Sequence, residues 1–284
     1  MRIVILTAFT LIAFAANSLL CRMALGGKLI DPLTFTALRL ISGALALAVI
    51  SYGVPEAKAP EKKRGAWVSG FALFAYAAAF SLAYVSLSAG TGALILFGAV
   101  QVTMIGAALK SGDKLGSAQW VGSAAAIGGL TYLVLPGFSA PDPIGAVLMC
   151  VAGGAWGVYS IRGRGVSAPV SMTAGNFLRA APMALIASAF SLSSVHLEPS
   201  GAVLALVSGI VTSGLGYVLW YKALKSLTTT QASVVQLLVP VLAALGGVAF
   251  LGEHVTIRLI VASALILGGV AMAALMRDLS PRSN

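Results

Sequence analysis

Residues 112–129, GDKLGSAQWVGSAAAIGG, and residues 252–269, GEHVTIRLIVASALILGG, together decide the fold. Gly112-Asp113, Ser123-Ala124 and Gly128-Gly129 of the first stretch fall opposite Gly252-Glu253, Ser263-Ala264 and Gly268-Gly269 of the second, at a constant offset of 140 residues. The same register holds upstream. Arg22 answers Arg162, Leu38-Arg39 answers Leu178-Arg179, Ala44-Leu45 answers Ala184-Leu185, and Ala83 with Ser86-Leu87 answers Ala223 with Ser226-Leu227. A gapless offset over so much of the chain marks a duplicated unit. In a membrane protein, two such units usually face each other across a central pathway and hold the ligand where they meet, near the bilayer midplane.

The setting follows from composition. The 284 residues are 59% hydrophobic and 9% charged, with a mean hydropathy of +0.98, whereas an ordinary soluble domain is roughly a quarter charged. A transmembrane helix needs about 20 mostly apolar residues. Ten segments of that size are expected, at 4–20, 33–52, 66–86, 91–109, 117–135, 144–160, 171–192, 201–221, 230–250 and 257–276. They leave no room for a soluble catalytic or nucleic-acid-binding domain, so the expected partners are a lipid bilayer and a small molecule, with no nucleic acid.

The formal charge of +10 then reports topology. The termini and alternate loops carry Arg2, Lys58, Lys62, Lys63, Arg64, Lys110, Lys114, Arg162, Arg164, Lys222, Lys225, Arg277 and Arg282, and the other loops carry Arg22, Lys28 and Arg258. Thirteen against three predicts both termini in the cytoplasm, in an inner or plasma membrane. Each unit has five spans, an odd number, so the two copies are inverted. The expected architecture is all-α, with ten transmembrane helices as two inverted five-helix repeats around a central cavity. The first repeat covers 1–137, the second 138–277, and 278–284 form a cytoplasmic tail. Ten helices can enclose a pathway without a partner chain, so a monomer is expected.

Punctuation agrees. Asp31-Pro32 and Asp142-Pro143 set a capping carboxylate before a proline that can occupy the first helical turn, where its missing N–H costs nothing. The start of the chain imitates a secretory signal but aligns with the internal helix around 155–162. Cys21 and Cys150 stand apart with no metal-like spacing, and no cofactor is expected. Glycines at small-xxx-small spacing, such as Gly153/Gly157 and the Gly209/Ser213 pair, read as close helix contacts, or else as a pathway wall or hinge.

With the inverted duplication, the Pro240-x12-Glu253 spacing ahead of a last helix containing Gly268-Gly269, and the symmetric Arg39 and Arg179, the chain resembles the drug/metabolite transporter superfamily, EamA branch. The likeness spans essentially the whole chain and is greatest to YddG-type exporters of aromatic and other neutral amino acids. It implies a transporter that works by alternating access and moves such solutes out of the cell. The first half departs from the pattern: Val100 stands where the proline belongs, Asp113 where the glutamate belongs, and Ala15-Ala16 where relatives often show Trp-Gly.

All eight acidic residues fall in loops or at helix ends. A proton-coupled antiporter generally needs a carboxylate within the membrane, so a facilitator driven by the substrate gradient is expected. Two arginines, Arg39 and Arg179, do lie within spans, where an unpaired charge costs about 2.5–3.5 kcal/mol. Cross-repeat pairs are expected, Arg39 with Glu253 and Arg179 with Asp113, with snorkelling to the headgroups and capture of a substrate carboxylate as alternatives. Pro240 within helix nine can free a carbonyl to the cavity or simply kink the helix.

For a zwitterionic solute the site needs uncharged polar groups and an aromatic wall. The candidates are Asn17, Tyr76, Phe97, Gln101, Trp156 and Gln236, with Tyr159 and Tyr217 towards the cytoplasmic entrance. Each has a plainer reading: the glutamines bond neighbouring helices, and aromatics near the interface belong to the membrane belt. An enzyme is disfavoured because His196 and His254 sit in outer loops without a nucleophile motif. A phosphate-ester carrier would need more cavity cations than two arginines. A multidrug or metabolite efflux protein of broad specificity is the main alternative.

Overall fold

A computed structural model describes residues 2–53, 65–110, 116–137, 140–163, 166, 168–191, 195–224, 227 and 235–275. The helices are α1 (Arg2–Gly26), α2 (Pro32–Tyr52), α3 (Trp67–Ala83), α4 (Ala89–Lys110), α5 (Ser117–Val134), α6 (Pro143–Arg162) and α7 (Pro169–Ala189). Then α8 runs through Pro199–Val207, a π-helical stretch Ser208–Leu215, and Gly216–Leu224, followed by α9 (Leu238–Leu251) and α10 (Ile257–Leu275). Among the described residues the only extended pairing is an isolated bridge between Ile30 and Leu197. It joins the α1–α2 turn to the segment before α8.

The helix starts follow from their side chains. The Asp31 carboxylate accepts from the Thr34 N–H at 2.9 Å and that of Asp142 from the Gly145 N–H at 2.6 Å, each ahead of a first-turn proline. One expectation changes, and two further features stand out. α1 continues to Gly26, so Arg22 lies on a helix and not in a loop. α8 carries a π segment that no residue pattern announced. Residues 235–236 are helical, the chain turns at Leu237, and α9 resumes at Leu238, which leaves Pro240 in its first turn. A proline ring clashes with the carbonyl four residues back, and the interruption falls there.

Packing shows the symmetry of the halves. α5 packs on α10 and α2 on α7, while α3 on α6 has its mate in α8 on α1, α4 on α6 in α9 on α1, and α2 on α8 in α7 on α3. The α5–α10 seam is reciprocal: a Cβ on Gly122 would meet the Gly269 carbonyl, and one on Gly269 the Gly122 carbonyl. Gly128 and Gly268 face open space, so only the second glycine of each pair makes the contact.

Large apolar side chains such as Val4, Val49, Trp67, Ile144, Phe250 and Ile257 point outward, while Thr10, Asn17, Thr36, Arg39, Ser42 and Thr173 are buried between helices. That is the distribution expected where the surrounding solvent is hydrocarbon and interhelical polar groups must satisfy one another.

Candidate functional site

At the crossing of the two halves lies a small chamber lined by Phe14, Asn17 and Ser18 of α1, Tyr76 and Phe80 of α3, Leu96 and Phe97 of α4, Trp156 of α6, and Thr212 and Tyr217 of α8. Trp156 is its hub: its ring centroid lies 4.9 Å from Tyr76, 5.0 Å from Tyr217, 5.4 Å from Tyr159 and 6.3 Å from Phe14. The free space is about 20 Å³, room for about one water. In this conformation the rings close upon one another.

Asn17, Tyr76, Phe97 and Trp156 are brought together in one wall, and Tyr217, expected towards the cytoplasmic entrance, stands in that wall with them. Tyr159 stands behind Trp156, stacked on it at 28°. Gln101 is buried one turn along α4 from Phe97, and half-buried Gln236 precedes α9; neither lines the chamber. Phe14, Ser18, Phe80, Leu96 and Thr212 were not foreseen. Ser18 adjoins Asn17, Phe14 and Phe80 lie one helical turn from Asn17 and Tyr76, and Thr212 follows Ser208 by four residues. Of the five, Phe14 and Phe80 alone stand at i, i+3/i+4 from recognised residues, a spacing that lipid-facing rings share.

The π segment supplies much of the polar side. The Asn17 Oδ1 accepts from the Ser208 hydroxyl at 2.7 Å and from the Thr212 hydroxyl at 3.0 Å. Gly209 lets α8 approach α2 closely, since a Cβ there would meet the Ser42 Oγ and the Arg39 carbonyl. Ser213 then accepts from Arg39 Nε at 3.1 Å.

Arg39 is 1% exposed. Its Nη2 donates to the Tyr76 hydroxyl at 3.2 Å, and its guanidinium lies 5.3 Å from the Tyr76 ring centroid and 5.2 Å from that of Phe80. The expected Arg39–Glu253 pair does not form. Hydroxyls and ring faces surround the cation instead, and a desolvated cation–π contact is worth about 2 kcal/mol. Its Nη1 is buried without a hydrogen-bond partner. The other intramembrane arginine, Arg179, donates from Nη1 to the Gly175 carbonyl at 2.8 Å and lies over Trp67. Its expected partner Asp113 lies outside the described residues.

Glu253 is engaged elsewhere. The chain reverses at Gly252, whose φ of 63° suits glycine. The Glu253 carboxylate then accepts from the Ala89 N–H at the start of α4, at 2.9 and 3.0 Å, and pairs with Arg22 Nε at 3.3 Å. Arg22 Nη1 in turn donates to the carbonyls of Tyr84 and Val85 just beyond α3, at 3.1 and 3.0 Å. An anion at a helix N-terminus is favoured by the helix dipole. One carboxylate and one guanidinium thus tie α1, α3, α4 and α9 together at the bundle end where α1 finishes and α10 begins. Cys21, next to Arg22 and fully buried, is a built-in reporter of this tie. In a Cys150→Ser background, Glu253→Gln is expected to raise Cys21 alkylation by a water-soluble maleimide about tenfold, the weight of one charge-assisted bond. Unchanged alkylation would show that the tie does not hold this end shut.

A model of the EamA-like transporter family matches residues 143–275. The chain is 51% identical over 271 residues to an uncharacterized protein of Pseudomonas aeruginosa, covering 95% of this chain and 94% of that one. It is 26% identical, over 93% of its own length and 90% of the relative's, to a probable terminal-alkyne amino-acid exporter of Streptantibioticus cattleyicolor. A crystal structure at 23% identity superposes with a TM-score of 0.66, over 98% of this chain and 99% of the other.

Proposed function

The chain belongs to the EamA-like transporter family, a multi-pass membrane transporter with a small-molecule substrate, and from that premise we propose that it exports neutral amino acids, aromatic ones foremost. The observation that carries this reading is the chamber itself. Six aromatic side chains line it, and Asn17, Ser18 and Thr212 supply uncharged polar groups beside them. Such a wall suits a solute with an aromatic body and a zwitterionic head. The amino-acid exporter among the relatives favours the same substrate class.

The proposed cycle is alternating access between the two inverted halves. The chamber is too small here for an amino acid, so the helices must separate before one enters. The Arg22–Glu253 tie is proposed to be the outer gate, with both termini in the cytoplasm and the protein acting as a monomer. Lysine and arginine placement supports that orientation, and maleimide labelling of cysteines added at each tail checks it: accessibility from the outer face would reverse it. Among the described residues no carboxylate lines the chamber, which favours a carrier driven by the solute gradient alone.

Purified protein in liposomes, loaded with radiolabelled phenylalanine, is expected to release it down its gradient at a rate insensitive to an imposed pH difference. Flux only with a pH difference would overturn the uncoupled mechanism. Flux of neutral dyes with none of phenylalanine, leucine or alanine would replace the amino-acid reading with broad efflux, which the preponderance of ring surface over polar groups would then explain.

A further inference from the structure

We infer that Arg39 is the anchor for a carboxylate of the transported solute, and that this carboxylate supplies the counter-charge that no side chain among the described residues gives Arg39. The inference deepens the amino-acid reading above by naming the group that holds one end of the substrate.

Arg39 is a permanent cation buried at mid-bundle, and no carboxylate among the described residues pairs with it, because Glu253 is taken by Arg22 and Ala89. Two of its nitrogens are held, Nε by Ser213 and Nη2 by Tyr76. These bonds orient the planar guanidinium and leave Nη1 buried and unbonded. Leaving a charged donor buried and unsatisfied is costly, and such a cost persists in a fold only when something offsets it. The rings under the guanidinium, Tyr76 and Phe80, are themselves chamber wall, so the cation stands one side chain behind the cavity surface. A π segment is frequent at functional sites, and here it delivers Ser213 to Arg39 while it delivers Ser208 and Thr212 to Asn17. When the chamber opens, a carboxylate on the Nη1 side would gain charge-assisted bonds, and the attached side chain would lie against Trp156 and Phe14.

The test is binding to purified wild-type protein, read by calorimetry, of phenylalanine, phenylpropionate, phenylalaninamide and phenethylamine. The two carboxylates are expected to bind about tenfold or more tightly relative to the two analogues lacking one. Arg39→Gln is expected to erase that preference, and Arg39→Lys to restore part of it. Should Arg39→Gln not fold, Ser213→Ala, which frees Nε and loosens the guanidinium, is expected to weaken carboxylate binding severalfold and amine binding not at all. A carboxylate preference that survives these substitutions would overturn the inference, as would equal binding of acid and amide, or no binding of either carboxylate. If phenylpropionate binds through Arg39 and phenylalanine does not, the amino-acid reading fails and the anchor stands. If phenylalanine and its amide bind alike, the anchor fails and the amino-acid reading stands.

Discussion

Gly209→Ala is expected to cost about 3 kcal/mol and to remove most of the monodisperse protein recovered in detergent. The added methyl would collide with the Ser42 hydroxyl and the Arg39 carbonyl. The hydroxyl can rotate away, but the carbonyl belongs to the α2 backbone and cannot move without the helix. Overpacking normally costs about 1–3 kcal/mol, and here the strain falls on a seam that also sets the Arg39–Ser213 bond. Size-exclusion profiles and thermal unfolding of the purified variant check this. A Tm within a degree or two of wild type would mean that α2 and α8 are free to separate. Gly128→Ala is the control, because nothing lies within reach of a Cβ there.

Trp156→Ala is the second large effect. The indole touches Phe14, Tyr76, Tyr159 and Tyr217, and truncating a buried tryptophan typically costs about 3–5 kcal/mol. Phenylalanine flux in liposomes is expected to fall to about a tenth or less, since loss of a stacking surface worth about 1 kcal/mol adds to the disorder of the remaining rings. Trp156→Phe keeps an aromatic face and should recover a large part of the flux. Full activity in Trp156→Ala would show that the pathway does not run past this ring cluster.

The ten spans were legible because an apolar run near 20 residues has few other uses, and because Asp31-Pro32 and Asp142-Pro143 mark helix starts by chemistry local to the chain. The inverted pairing was legible from a constant offset together with an odd number of spans. Arg22 was misplaced because a charge near a span end reads as loop, whereas here its partners are carbonyls and a carboxylate supplied by α3 and the turn beyond α9. Arg39 was paired with an acid because opposite charges are the simplest match. The fold instead surrounds it with Tyr76, Phe80 and Ser213, residues 37, 41 and 174 positions away in the chain, and no local pattern marks that convergence. Polar and large aromatic residues at mid-span, such as Asn17 and Trp156, pointed to the chamber. Phe14, Phe80 and Leu96 did not, because on an apolar helix a lipid-facing ring and a pathway-facing ring look the same.

The π segment of α8 has no counterpart in α3, its partner by the repeat, which is α-helical throughout Trp67–Ala83. If one copy alone bears the bulge, exchanging the shapes of the halves does not regenerate the same molecule, and the two end states of the cycle differ in energy. Such an imbalance cannot pump solute, because a passive carrier must obey detailed balance and stops when concentrations equalise. It can make the half-saturation concentrations on the two faces unequal, with maximal rates that differ by the same ratio, so that a carrier without any fuel still clears one compartment faster than it refills it.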